Sequence, residues 1–139
     1  MLEERSAGAV IFSKDMQFLL LKYGAGHWDF VKGNIESGET EIETVLREAE
    51  EETSIPRSKM EMMHPFREEI EYFYRRSGEL VHKKVIYYLG KSFTKRVNLS
   101  FEHQDYDWLD YEIALGRVTY ENSKLILEKA YRFLISNLT

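Results

Sequence analysis

The chain has 139 residues, 43% of them hydrophobic and 14% aromatic, with a net charge of −5 and no cysteine. That length suits one domain with a packed core and leaves little room for a second. The lack of cysteine excludes disulfides, thiolate metal sites and cysteine nucleophiles together. The opening Met1-Leu2-Glu3-Glu4-Arg5 does not have the basic-then-apolar order of a signal peptide. Apolar runs such as Phe18 to Leu21 are far too short to span a bilayer. A cytoplasmic protein with no membrane partner is therefore expected.

In chain order, residues 5–12 and 16–23 read as two strands around the turn Ser13-Lys14-Asp15. Gly24 and Gly26 make a loop into a short strand from Trp28 to Val31, and Gly33 to Gly38 reads as a loop. A helix is predicted over 40–53. Residues 60–74 and 80–93, β-branched and aromatic, form a hairpin about Arg76-Ser77-Gly78. Residues 105–110 make another strand, and a short helix follows at 111–115. Residues 120–136 form the last helix, with Leu125, Ile126, Leu127, Ala130, Phe133 and Leu134 supplying its apolar residues. The predicted order is β-β-β-α-β-β-β-α, a mixed sheet with helices packed on it. No linker, repeat or low-complexity stretch interrupts it.

The acidity is concentrated in one place. Residues 36–52 hold eight Glu and one Arg, a net of −7, which leaves the rest of the chain at +2. At about 100° per residue, Ile42, Val45, Leu46 and Ala49 share one arc of the 40–53 helix, the spacing of a buried face. Glu48, Glu51 and Glu52 share a neighbouring arc at i, i+3 and i+4, where like charges repel by roughly 0.2–0.5 kcal/mol per pair. A divalent cation removes that penalty, and Mg²⁺ and Mn²⁺ favour carboxylate oxygens. Arg47 can pair with Glu43 or Glu51 at i±4. A solvated, purely structural acidic face is the plain alternative on the helix alone.

From Gly33 the chain reads Gly33, five residues, Glu39, seven residues, Arg47-Glu48-Ala49, one residue, Glu51-Glu52, one residue, Ser54-Ile55. This resembles the Nudix box, Gly-x5-Glu-x7-Arg-Glu-U-x-Glu-Glu-x-Gly-U with U apolar, in every position but one. Ser54 stands where the family has Gly, at a place that requires φ > 0. Ser6-Ala7-Gly8-Ala9-Val10 is similar to the family's first strand. The resemblance implies that residues 1–139 form a single Nudix hydrolase domain of α/β (α+β) class, a mixed β-sheet sandwiched between α-helices. It implies that Glu48, Glu51 and Glu52, with the Gly33 carbonyl, bind Mg²⁺ or Mn²⁺, and that Glu39 braces the loop through Arg47. The catalytic set is then Glu48, Glu102 and Arg47, with the general base open between Glu48 and Glu102.

Three flanking segments resemble asymmetric diadenosine tetraphosphate hydrolases. They are Gly26-His27-Trp28-Asp29-Phe30-Val31-Lys32-Gly33-Asn34, Lys83-Lys84-Val85-Ile86-Tyr87-Tyr88-Leu89 and Glu102-His103-Gln104-Asp105-Tyr106-Asp107-Trp108-Leu109. Val31 replaces the usual Pro of that subfamily. The likeness implies a small nucleotide substrate, diadenosine tetraphosphate cleaved to ATP and AMP. Lys32, His27, Trp28, Tyr74, Tyr87 and His103 are the expected substrate-binding residues, with Tyr87 as the stacking tyrosine. The alternatives are a Nudix pyrophosphohydrolase acting on an RNA 5′-triphosphate end, ADP-ribose or a nucleoside triphosphate, and a non-catalytic nucleotide-binding module. The absence of a long basic stripe weighs against RNA, and the intact carboxylates weigh against the inert module. No protein partner is inferable.

Overall fold

The computed structural model describes residues 1–137. Eight strands form one mixed sheet: β1 (Leu2–Ser13), β2 (Phe18–Tyr23), β3 (Trp28–Asp29), β4 (Val31–Asn34), β5 (Met60–Met62), β6 (Glu68–Arg76), β7 (Glu79–Ser92) and β8 (His103–Leu109). Three α-helices accompany them: α1 (Glu41–Thr53), α2 (Tyr111–Arg117) and α3 (Glu121–Ser136). β1 runs parallel to β7 from Leu2↔Val81 to Ser13↔Ser92, and β4 pairs antiparallel with β1 between Ser6↔Asn34 and Ala9↔Val31.

Both faces of the sheet are covered. Val45 and Ala49 of α1 pack with Ala7, Ala9, Ile11, Leu19 and Leu21 on one face. Ala114 of α2 and Ile126, Leu127, Ala130 and Leu134 of α3 pack with Val10, Phe12, Phe18, Val85, Tyr87 and Leu89 on the other. The expected sandwich is thus formed. Among the described residues no helix is long and apolar enough to cross a membrane.

Three boundaries differ from those predicted. The strand expected at Trp28–Val31 divides at the fully buried Phe30: β3 before it pairs with β2, and β4 after it pairs with β1. Gly33, expected in a loop, therefore lies in a strand. The strand expected over 60–74 breaks into β5 and β6 around Pro65, which has no N–H to give a ladder. The hairpin itself is as expected: Ser77 at φ 52° and Gly78 at φ 81° form the two-residue turn whose twist suits paired strands.

Both ends of α1 are specified locally. Thr40 and Glu43 close a capping box, the Thr40 hydroxyl accepting from the Glu43 N–H and the Glu43 carboxylate from the Thr40 N–H. Ser54 ends the helix at φ 65° and ψ 16°, a left-handed conformation that costs an L-residue roughly 1–2 kcal/mol. Its hydroxyl donates to the Asn98 carbonyl at 3.0 Å on the surface, which offsets part of that strain. Ser54→Gly is expected to stabilise the protein by about 0.5 kcal/mol, net of the greater freedom of an unfolded glycine. The denaturant midpoint is the measurement; a lower midpoint would mean that the hydroxyl bond outweighs the strain.

Candidate active site

The site lies where α1 meets β4. Gly8 permits the close approach of β4, because a Cβ there would fall 2.2 Å from the Val31 carbonyl oxygen. Gly33 leaves no room for a side chain either: its Cβ would lie 2.0 Å from Glu48 Cδ. The Glu48 carboxyl therefore rests against the Gly33 backbone.

Arg47 ties the site together. Its Nε donates to Glu39 Oε2 at 2.6 Å and its second terminal nitrogen to Glu39 Oε1 at 3.0 Å, a two-point grip. The same guanidinium reaches Glu48 at 2.8 Å, Glu51 at 3.2 Å and the Asn34 carbonyl at 3.0 Å. Glu39 also accepts from the Glu36 N–H, so the connection into α1 is braced as expected. Of the two partners open to Arg47 at i±4, Glu51 is engaged and Glu43 is not, because Glu43 serves the cap.

Glu52 points inward and is only 4% exposed. Neither of its oxygens is in a well-formed hydrogen bond. Nε2 of the buried His103 lies 3.0 Å from Glu52 Oε1, yet it too has no hydrogen-bond partner. Burial, reinforced by the adjacent Glu52 carboxyl, raises the Glu48 pKa well above the carboxylate range. Burial likewise raises Glu52, with the Glu102 charge adding to the effect. Glu39 behaves oppositely, held down to about 2 by the hydrogen bonds from Arg47. Burial lowers the His103 pKa and so favours its neutral form.

Two inward carboxyls, one of them buried without a well-formed hydrogen bond, suit a hard divalent cation. Glu48 and Glu52 carry that fit. Glu51 is turned toward Arg47 and solvent, and among the described residues no three carboxylate or imidazole groups already converge on one point.

A cavity of about 560 Å³ opens on the α3 face of the sheet, with His27, Lys32, Ile70, Tyr72 and Tyr120 among its walls. The buried Asp29 fixes this wall. It accepts from Ser123 of α3 at 2.9 Å, and its other oxygen lies 3.3 Å from Lys32 Nζ. Tyr23 links cavity and carboxylates, with His27 stacked on its ring at 4.7 Å and His103 against it at 4.6 Å.

The expected substrate residues do not all gather here. His27 and Lys32 line the cavity, and His103 sits at Glu52. The Arg117 guanidinium lies over Trp28, 5.0 Å from the centre of the indole ring, and the Tyr74 hydroxyl donates to Glu4 at 2.6 Å. Tyr87 departs most from expectation: it is 0% exposed and packs edge-on against Phe30 in the core. A base cannot stack on it without opening the core. Tyr72, two positions before Tyr74 on β6, lines the cavity instead, as does Tyr120. Tyr120 is brought there because Thr119, next to it, bonds reciprocally with the Trp28 backbone at 3.1 and 2.8 Å. Glu102 is exposed on the turn before β8.

The family model described as NUDIX domain matches residues 2–129. The asymmetrical bis(5′-nucleosyl)-tetraphosphatase of Rattus norvegicus is 35% identical over 145 residues, covering 95% of this chain and 96% of the relative. The protein of the same name from Caenorhabditis elegans is 33% identical over 136 residues, covering 94% and 96%. The crystal structure of a C. elegans Ap4A hydrolase binary complex superposes with a TM-score of 0.85 at 32% identity, covering 96% of this chain and 98% of that one.

Proposed function

Because the chain belongs to the Nudix family, we propose that it is a single-domain enzyme that hydrolyses a dinucleoside polyphosphate off-centre, splitting diadenosine tetraphosphate into ATP and AMP. The observation that carries this reading is the adjacency of two unlike sites. A base-sized aromatic cavity stands beside a pair of buried carboxyls, joined through Tyr23, His27 and His103. The names of the relatives support it.

One adenosine enters the cavity between Tyr72 and Tyr120, where a purine gains roughly 1–3 kcal/mol for each aromatic it stacks on. Lys32, oriented by Asp29, and His27 meet the phosphates. Glu48 and Glu52 would hold a divalent cation, Mg²⁺ or Mn²⁺. Such an ion polarises phosphoryl oxygens and makes a bound water more acidic. Arg47 keeps Glu48 against Gly33. Glu102, exposed on the turn beside Glu52 and without a side-chain hydrogen-bond partner among the described residues, takes the proton of the attacking water. Positioning and charge do most of the work in such transfers, and where the first base is held sets which phosphorus reaches the carboxylates.

The reading is tested by turnover over a nucleotide panel with Mg²⁺ and Mn²⁺. Diadenosine tetraphosphate is expected to be the preferred substrate. A preference for triphosphorylated RNA ends, ADP-ribose or a nucleoside triphosphate would contradict it. The same assay separates the two tyrosines. Tyr72→Ala is expected to raise KM by the equivalent of roughly 1–3 kcal/mol, whereas Tyr87→Phe, which removes a buried hydroxyl with no partner, leaves KM unchanged. The reverse pattern would return the stacking role to Tyr87.

A further inference from the structure

Phe101 has a position that the adenosine cavity does not explain. It is the second residue of the turn Ser100-Phe101-Glu102-His103, closed by the His103 N–H donating to the Ser100 carbonyl at 3.2 Å. The turn is bound to the end of α1. The Ser100 N–H donates to the Glu52 carbonyl at 3.1 Å, and the nearby Asn98 N–H to the Thr53 carbonyl at 2.9 Å. From the same turn, His103 places its ring nitrogen 3.0 Å from the Glu52 carboxyl. Phe101 and Glu102 are therefore the tip of a segment fixed beside the reacting carboxylates.

Phe101 is 98% exposed, the extreme among the large apolar side chains of the described residues. The other exposed aromatic rings have company. Phe73 stacks on His82 at 4.6 Å, the Lys14 and Lys91 ammonium groups face Phe93, and Tyr120 lies 5.3 Å from His27. Among the described residues Phe101 has no aromatic or cationic neighbour of this kind. A lone exposed hydrophobe needs no explanation by itself; this one stands at the site.

A dinucleoside polyphosphate has two bases, and the cavity takes one. Off-centre attack leaves the second nucleoside past Glu48 and Glu52, and the turn that carries Phe101 is anchored at Glu52 itself. We propose that Phe101 is the stacking platform for this second base, the one that departs as nucleoside monophosphate. The proposal rests on the substrate class inferred above. A phenyl face offers contact to any base and no hydrogen-bond pattern. The second nucleoside is thus bound by shape and stacking, without regard to its identity, and the first site carries the selectivity.

The test compares wild type, Phe101→Ala and Phe101→Trp. For each, KM is measured for diadenosine tetraphosphate, and the inhibition constant for adenosine 5′-tetraphosphate, which lacks the second nucleoside. The ratio of inhibition constant to KM is expected to fall roughly 5- to 150-fold in Phe101→Ala, the span of base stacking on one aromatic, and to return in Phe101→Trp. Thermal unfolding checks that the exposed substitutions leave the fold intact. An unchanged ratio in Phe101→Ala overturns the proposal while leaving the substrate reading in place. A wild-type enzyme that leaves diadenosine tetraphosphate uncut overturns the substrate reading, and this inference with it.

Discussion

Glu52→Gln is expected to lower kcat by roughly 10³-fold or more, the upper scale for losing one electrostatic group at a transition state, without lowering the stability of the metal-free protein. The two outcomes have one cause. Glu52 is buried with no well-formed hydrogen bond at either oxygen, and burial raises its pKa. An unpaired charge there strains the fold, and the neutral amide of Gln relieves that strain at nearly the same volume. What Gln cannot supply is the anionic oxygen for a divalent cation. Adding Mg²⁺ or Mn²⁺ should accordingly raise the Tm of the wild type and leave that of the variant nearly unmoved. Turnover and thermal unfolding, each with and without metal, check both parts. Near-normal turnover, or an equal metal-induced shift in both proteins, would remove Glu52 from the cation site.

Gly33→Ala is expected to lower kcat by roughly 10²-fold through a single methyl group that touches no substrate. The added carbon would lie 2.0 Å from Glu48 Cδ and 2.1 Å from Glu48 Oε1, so the two cannot coexist. The Glu48 carboxyl is the end of a flexible side chain and can turn away, so the fold gives little resistance. Turning away breaks the 2.8 Å bond from Arg47 and moves the carboxyl off the position it shares with Glu52. Unfolding should therefore change little while turnover collapses. Gly8→Ala is the contrasting substitution: its methyl would meet the Val31 carbonyl at 2.2 Å, which is backbone and cannot turn aside. Equal loss of stability in the two variants would show that Gly33 serves only packing.

The acidic half of the site was legible because its geometry is local. Gly33, Glu39, Arg47, Glu48 and Glu52 lie in one strand, one connection and one helix, so spacing along the chain translates directly into spacing in space. The left-handed Ser54 was legible for the same reason, since a helix end needing φ > 0 is a property of the turn itself. The aromatic half was not. β7 is covered on both faces, and Val85, Ile86 and Tyr87 are all buried, so no alternation tells which tyrosine faces a cavity. On β6, where exposure does alternate, Ile70, Tyr72 and Tyr74 share a face, and only the approach of α3 separates the cavity residue Tyr72 from Tyr74, which bonds Glu4. Tyr120 reaches the site through the pairing of Thr119 with Trp28, which are 91 residues apart. No local pattern encodes that contact.

If the base cavity and the buried carboxylates act in one register along a chain of similar phosphoanhydride bonds, the cut falls at one bond and on one phosphorus. Hydrolysis of diadenosine tetraphosphate in ¹⁸O-labelled water, with products resolved by mass spectrometry, reads out both. Attack at the phosphorus bearing the second adenosine predicts ATP and AMP, with the label in AMP. Two ADP as the main products, or label found only in ATP, would contradict it.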